Sequence, residues 1–258
     1  MSTPTAPAET AALGAAIPAG ASGAETQVAL RAAVWVALGT VRDPELDEPL
    51  TDLGFVSRCA VSGDGAATVR LRLPTYFCAP NFAFLMVADA FDAVTAVAGV
   101  TAADVQLVDH FAVDAINTGV AARAGFVASF DGEAVNELGD LRADFLRRAV
   151  LAGTDRVCRA IRRDRACDPI DLAGLTLGDA PAGPDRERLR DRRRELGLPH
   201  GDTDPLVIDP RTGDRVGAPG MRLHLGLART TRVSQEANSG VCRGMLHARY
   251  PNGEERTS

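Results

Sequence analysis

The stretch Leu73 to Asn81, L-P-T-Y-F-C-A-P-N, joins an alternating strand to an apolar helical pattern, and this junction constrains the fold of the chain most. Upstream, Val69, Leu71 and Leu73 alternate with Arg70 and Arg72, the period-two pattern of a half-buried strand. Downstream, Phe82, Leu85, Met86, Phe91, Val94 and Val97 recur at helical spacing, interrupted by Asp89 and Asp92. Pro74 and Pro80 force the turn between them, and Asn81 is the expected helix cap. Cys78 is thereby expected at a helix N-terminus, where the dipole and free N–H groups favour a thiolate and hence soft-metal binding. The plainer alternative is that Cys78 is a small buried hydrophobe.

Around this junction the chain reads as a helix from Glu25 to about Gly39 with Val28, Ala32, Trp35 and Leu38 on its inner face, then the D-P-E-L turn from Asp43 to Leu46. A hairpin follows, Phe55 to Val61 and Ala67 to Leu73 across Ser62–Gly65, with Cys59 in its first strand. The helix after Cys78 is expected to end at Gly99 as C-cap, and Asp104 to Asp109 forms a third strand. Helix, strand, strand, helix, strand describes a small two-layer α/β (α+β) domain, with helices on one face of a mixed sheet.

The order of D-P-E-L, T-D-L-G-F-V (Thr51 to Val56), the hairpin, L-P-T-Y-F-C-A-P, the apolar helix and V-Q-L-V-D (Val105 to Asp109) resembles the iron-sulfur cluster assembly family that includes SufT-like and PaaD-like proteins. The resemblance covers about residues 26 to 114, and the P-T-Y beginning at Pro74 is closest to the PaaD-like branch, whose members serve a multicomponent phenylacetyl oxygenase. Two departures stand out. Ala79 separates the cysteine from Pro80, where the family has Cys-Pro, and the loop between Tyr76 and Cys78 is one residue shorter. The resemblance implies Cys78 as the metal ligand and puts the acidic loop, with Asp43, Glu45 and Asp52, on the same side as that cysteine; Thr75 also lines the loop. Those carboxylates otherwise read as turn-closing groups. His110, Asp114 and Asn117 follow the third strand at a spacing that suits Fe(II) ligation, or simply satisfied hydrogen bonds.

Composition bounds the rest. Residues 1 to 23 are rich in Ala, Pro, Gly, Ser and Thr and are expected to form a dispensable disordered tail. Residues 24 to 114 form the α/β domain, expected to fold without the remainder, and residues 115 to 258 a mainly helical extension that recognises a client. In the extension, helical periodicity runs over residues 133 to 163, Pro184 to Leu196 and Met221 to Val233, with a hairpin turning at Pro210 to Gly213. All 28 basic residues are arginine; residues 1 to 114 hold 5 of them against 13 acidic residues, and residues 115 to 258 hold 23 against 21. The two parts therefore either meet different partners or pack on each other. A basic face between Arg142 and Arg165 either docks an acidic client or is solvated.

A net charge of -6 argues against nucleic-acid binding. No run reaches the roughly 18 apolar residues of a membrane span. Five widely spaced cysteines, with no signal-peptide pattern, suggest reduced thiols in a cytoplasmic protein. Cys158, Cys167 and Cys242 with His224 or His247 fit no zinc-finger spacing, and there is no phosphate-binding glycine loop.

These readings converge on a non-catalytic factor that assembles an iron-sulfur cluster, or iron, transiently and delivers it to an apo-metalloenzyme client. One thiol cannot complete the usual four-thiolate shell, so a ligand from the client or sharing across a homodimer is required for stable ownership. The alternative is a maturation chaperone for a multicomponent oxygenase subunit that holds no cluster. A cysteine-nucleophile enzyme would need a base near Cys78, and His110 is the only histidine in that domain.

Overall fold

The computed structural model describes residues 23–130, 132, 134–164 and 168–251, so the expected tail, apart from Gly23, and Cys167 lie outside the described residues. The first helix, α1 (Gly23–Leu38), buries Leu30, Val34 and Leu38. The expected face is used only in part: Leu38 is buried, as is Val34 beside that face, whereas Val28 and Trp35 are 70% and 41% exposed. Alanine and valine surround this helix on nearly every side, so spacing alone does not choose a face.

Strands β1 (Val56–Val61) and β2 (Ala66–Leu71) pair antiparallel, and β3 (Ala102–Leu107) pairs parallel to β2, giving a mixed three-stranded sheet in the order β1-β2-β3. Alternation holds as read: Ala67, Val69, Leu71 and Leu73 are buried, while Arg70 and Arg72 are partly exposed. The hairpin turns at Gly65, whose φ of +87° and closeness to the Gly99 carbonyl leave no room for a side chain; a Cβ there would lie 2.6 Å from that oxygen. Helix α2 (Pro80–Thr95) forms the crossover and packs with α1 on the sheet.

Its ends differ from expectation. Pro80 is the first helical residue and Ala79 the N-cap, because a first-turn position needs no N–H donor; Asn81 lies inside the helix. The C-cap is Ala96, and Gly99, at φ +95°, belongs to the turn into β3.

Packing does not break at residue 114. Helices α3 (Val113–Ala121) and α4 (Gly125–Ser129) follow β3, and Ile116, Val120 and Phe130 join the same core as the sheet. The extension continues with α5 (Gly139–Asp164), α6 (Pro184–Glu195) and α7 (Ala218–Arg249), around a second core of Val150, Ile161, Leu177, Leu189, Leu206 and Met221. Val135 precedes α5 and is 88% exposed. The expected hairpin is one isolated bridge, Ile208 with Arg215. The helix expected over Met221–Val233 instead runs on to Arg249, and Leu246 near its end enters the first core.

The charge asymmetry is resolved largely within the molecule. Arg192 Nε donates to Asp47 Oδ1 at 2.7 Å, with both residues buried, and Arg156 approaches Asp47 Oδ2 at 3.8 Å. Arg142 of the basic α5 face makes a two-pronged pair with Asp89, at 2.7 and 2.6 Å. Arg243 pairs with Glu48, and Arg249 with Asp109. Arginines of the extension thus grip the acidic domain at several points.

Candidate functional site

Cys78 is half-buried in the loop between β2 and α2, two residues before the first residue of α2. Thr75 Oγ1 lies 3.3 Å from Cys78 Sγ, close enough for the hydroxyl to donate to the sulfur. The loop is held from two sides. Phe111 N donates to Tyr76 O at 3.2 Å, and His110, which is 2% exposed, bonds the Cys78 carbonyl through Nε2 at 2.7 Å.

Ala112 N donates to His110 Nδ1 at 3.1 Å, which fixes the proton on Nε2 and makes His110 the donor to the carbonyl. Burial pushes the imidazole pKa down, in keeping with a neutral ring. Both ring nitrogens are therefore spent on the backbone, which makes His110 a positioning group for the thiol loop in this arrangement. Asn117 is engaged in the same manner, exchanging two hydrogen bonds with the Leu107 backbone at 2.8 and 3.0 Å, and Asp114 is exposed in the first turn of α3. Asn117 thus ties α3 to β3 and His110 ties the start of α3 to the Cys78 loop, and the three side chains do not converge on one ligand site.

Of the acidic loop, Asp43 is buried and closes the turn, accepting from the N–H groups of Glu45 at 2.9 Å and Leu46 at 2.8 Å. Burial outweighs those donors and raises its pKa to about 6. Glu45 is held by α7: its carbonyl accepts from Gln235 at 3.1 Å, and its carboxylate from Asn238 at 3.3 Å. Asp52 is exposed, and its carbonyl accepts from Arg243.

Two features escape the sequence reading. The first is Cys242, on the inner face of α7, half-buried against the same apolar core as Cys78. Its thiol is pushed up to about 11, first by burial and then by the charges of Asp43, Cys78 and Glu45, so these four groups share one electrostatic neighbourhood. The residues Gln235, Ser239, Cys242 and Leu246 carry the signal, an inner face at helical spacing that becomes visible once the helix is extended past Val233. The second is an exposed aromatic group beside the thiol. Tyr76 and Phe77 meet edge-to-face at 5.0 Å, Phe111 lies 5.9 Å from Phe77 and 4.8 Å from the His110 ring, and Phe77 is 76% exposed.

Cys59, by contrast, sits within β1, and burial raises its pKa. Cys59, Cys78, Cys158 and Cys242 form no disulfide with one another. Among the described residues no three His, Cys, Asp or Glu side chains gather as a metal-holding group, and no helix is long and apolar enough to cross a membrane. At the loop itself the donor is the Cys78 sulfur with the Thr75 hydroxyl beside it, and sulfur suits a soft or borderline metal.

No curated protein and no solved structure matches the chain. The family match falls on the first part of the molecule and stops before His110. Residues 31–105, which carry the acidic loop, the hairpin, Cys78 and α2, match the family described as iron-sulfur cluster assembly protein.

Proposed function

We propose that the chain is a non-catalytic factor that receives an iron-sulfur cluster, or iron, on Cys78 and passes it to an apo-metalloenzyme client. The observation that carries this reading is the setting of Cys78 in the family-matched segment: a half-buried thiol before α2, with the Thr75 hydroxyl on its sulfur and its carbonyl held by His110. A thiolate is the donor that iron-sulfur centres use. Incomplete coordination by one loop favours release of the cargo over permanent ownership. His110 donates to a backbone carbonyl and is not spent on Sγ, which supports a binding role for the thiol over a nucleophilic one.

The cargo is substrate here. The Thr75 hydroxyl sits on the sulfur, His110 keeps the loop in place, and the exposed Tyr76, Phe77 and Phe111 rings offer the client an apolar footing next to the transfer point. That aromatic footing also favours the second reading, a chaperone for an oxygenase subunit that docks the client and holds no cluster. The cytoplasm is the compartment in which free thiols of this kind persist.

Anaerobic reconstitution with iron and sulfide, followed by transfer to an apo-client, tests the proposal. Wild type and Cys59→Ser should acquire and transfer a cluster, and Cys78→Ser should do neither. Equal transfer by all three removes Cys78 from the mechanism. Maturation that depends on Cys78 while no variant ever holds a cluster selects the chaperone.

A further inference from the structure

Helix α7 buries one face, through Met221, Ala228, Arg232, Gln235 and Leu246, and turns the opposite face to solvent along its 32 residues. A surface helix normally puts its charges on that outer face. Between Leu223 and Ala248 the outward rows of α7 carry no Asp, Glu or Arg. The charges stand at the flank instead, where Arg222 pairs with Asp168 and Arg243 with Glu48. Leu223, Leu227, Val233 and Val241 are 48–82% exposed in the outward rows, a contiguous apolar patch of the kind that marks an interface. Gly226, Gly240 and Gly244 lie among them, and a Cβ added at any of the three would meet open space. Glycine is a poor helix former, and nothing among the described residues presses on these three, so their use is to let something outside the chain come close.

We propose that this face is the interface of a homodimer, in which the α7 helices of two copies pack antiparallel about a two-fold axis between Val233 and Ser234. The face is complementary to itself in that register. Leu223 comes opposite Gly244 of the second copy, Leu227 opposite Gly240, and Val241 opposite Gly226. Nearer the axis Val233 meets Ser234 and Thr230 meets Ala237. Each large side chain falls on a residue small enough to receive it, so the helix axes can approach closer than the usual distance of about 8–10 Å. A parallel pairing would set leucine on leucine and glycine on glycine, and would leave gaps. The flanks agree as well: Arg229 comes opposite Asn238, Glu236 opposite Thr231, and Arg243 opposite His224, whose pKa burial lowers, so no like charges meet. The exposed rows offer roughly 700 Å² per copy, or roughly 1,400 Å² across the pair, within the span of about 1,200–2,000 Å² that a stable, specific interface buries. Arg249 holds the Leu73 carbonyl just ahead of the Cys78 loop, and the two copies of Arg249 would lie roughly 45 Å apart along the helices. The two thiol loops therefore sit at opposite ends of the pair, each free to meet its own client, and no cargo is shared between them. The pairing uses α7 alone and is independent of what Cys78 holds.

Sedimentation equilibrium of the full-length protein is the test. Wild type should form a dimer that dissociates on dilution. Gly240→Gln and Gly244→Gln each fill the open space on the face with a better helix former. Each should weaken the dimer by roughly tenfold or more, while the melting temperature, taken at a dilution where wild type is monomeric, stays level or rises. Cross-linking gives a second readout that does not depend on those variants. Ser234→Cys, beside the axis, should form an intermolecular disulfide when diamide is added, and Leu223→Cys, roughly 30 Å from its counterpart, should not. A wild type that stays monomeric at high micromolar concentration overturns the inference, whatever else then covers the face. So does a dimer that neither glycine substitution weakens, since its interface lies elsewhere. A dimer in which Leu223→Cys links to itself, or Ser234→Cys does not, overturns the antiparallel register and the inference with it.

Discussion

His110 donates its Nε2 proton to the carbonyl oxygen of Cys78 across 2.7 Å, while its Nδ1 accepts from the N–H of Ala112. One side chain thus joins the thiol loop to the start of α3. Replacing it by alanine removes two buried hydrogen bonds and is expected to cost about 2 to 3 kcal/mol. The pH dependence has a definite sign. Folding lowers the imidazole pKa below 6.5, so the unfolded chain takes up the proton first as pH falls. His110 is therefore neutral in effect above about 6.5, and stability is lost as pH drops from there through the lower folded value. Melting temperatures at pH 7.5 and pH 5 should fall more in wild type than in His110→Gln. An equal fall in both would show that the ring is not held neutral.

Asp43 acts in the opposite direction. Its pKa rises from 3.8 to about 6 on folding, so its folded state favours the proton, and that contribution is lost as pH climbs from 3.8 through about 6. At neutral pH its buried charge is a cost. Asp43→Asn keeps an acceptor for the Glu45 and Leu46 N–H groups and should be more stable than wild type at pH 7, by about 1 kcal/mol once the weaker hydrogen bonds are included. Below pH 4 the difference should vanish or reverse. The same substitution should lower the Cys242 thiol pKa, read from the pH dependence of alkylation, since the Asp43 charge is one cause of its elevation.

How much of this was legible in the sequence follows from which interactions are local. The strand Ala66–Leu71, the turn before Ala66 and the position of Cys78 ahead of a helix all rest on short-range alternation and proline chemistry, and the sequence shows them in outline. Trp35 is 41% exposed against expectation because a helix apolar on several sides carries no directional signal, and its contacts with α2 and β1 decide which face is buried. Asp47, the buried anchor for Arg192, carries no signal in the sequence because the arginines that meet its carboxylate lie more than a hundred residues away. The helical spacing of Gln235, Ser239, Cys242 and Leu246 marks an inner face, but the residues that face meets come from the opposite end of the chain and leave no local pattern.

Asp47 tests how firmly the two parts are joined. It sits at φ +54° with 4% exposure, accepts from Arg192 Nε, and its carbonyl accepts from Arg42 at 3.0 Å. Alanine there leaves Arg192 and Arg156 without their shared counter-charge and should cost about 3 to 5 kcal/mol. Asn, which tolerates a positive φ and keeps an acceptor, should cost clearly less. Chemical denaturation of both variants gives the comparison, and equal losses would assign the whole effect to the missing charge, which both variants lack, since Asn escapes the strain that Ala meets at this φ. A chain cut after residue 114 loses this joint together with Ile116, Val120, Phe130 and Leu246 of the first core, so it should be insoluble or molten rather than a folded small domain.

The aromatic group beside the thiol separates holding the cargo from handing it over. Phe77 and Phe111 are 76% and 48% exposed, so their removal forfeits little burial, and Phe77→Ser should change stability by less than about 0.5 kcal/mol. Phe111 also stacks on His110, 4.8 Å between ring centres, so Phe77 is the cleaner probe. If these rings are the client's footing, Phe77→Ser should load with iron and sulfide as wild type does yet transfer to an apo-client several-fold more slowly, with the deficit overcome at high client concentration. That concentration dependence is what distinguishes docking from chemistry at Cys78, whose serine variant should fail at the loading step at any client concentration. Transfer by Phe77→Ser at the wild-type rate under limiting client would show that the client docks elsewhere. Impaired loading would instead mean that the ring shapes the thiol loop itself.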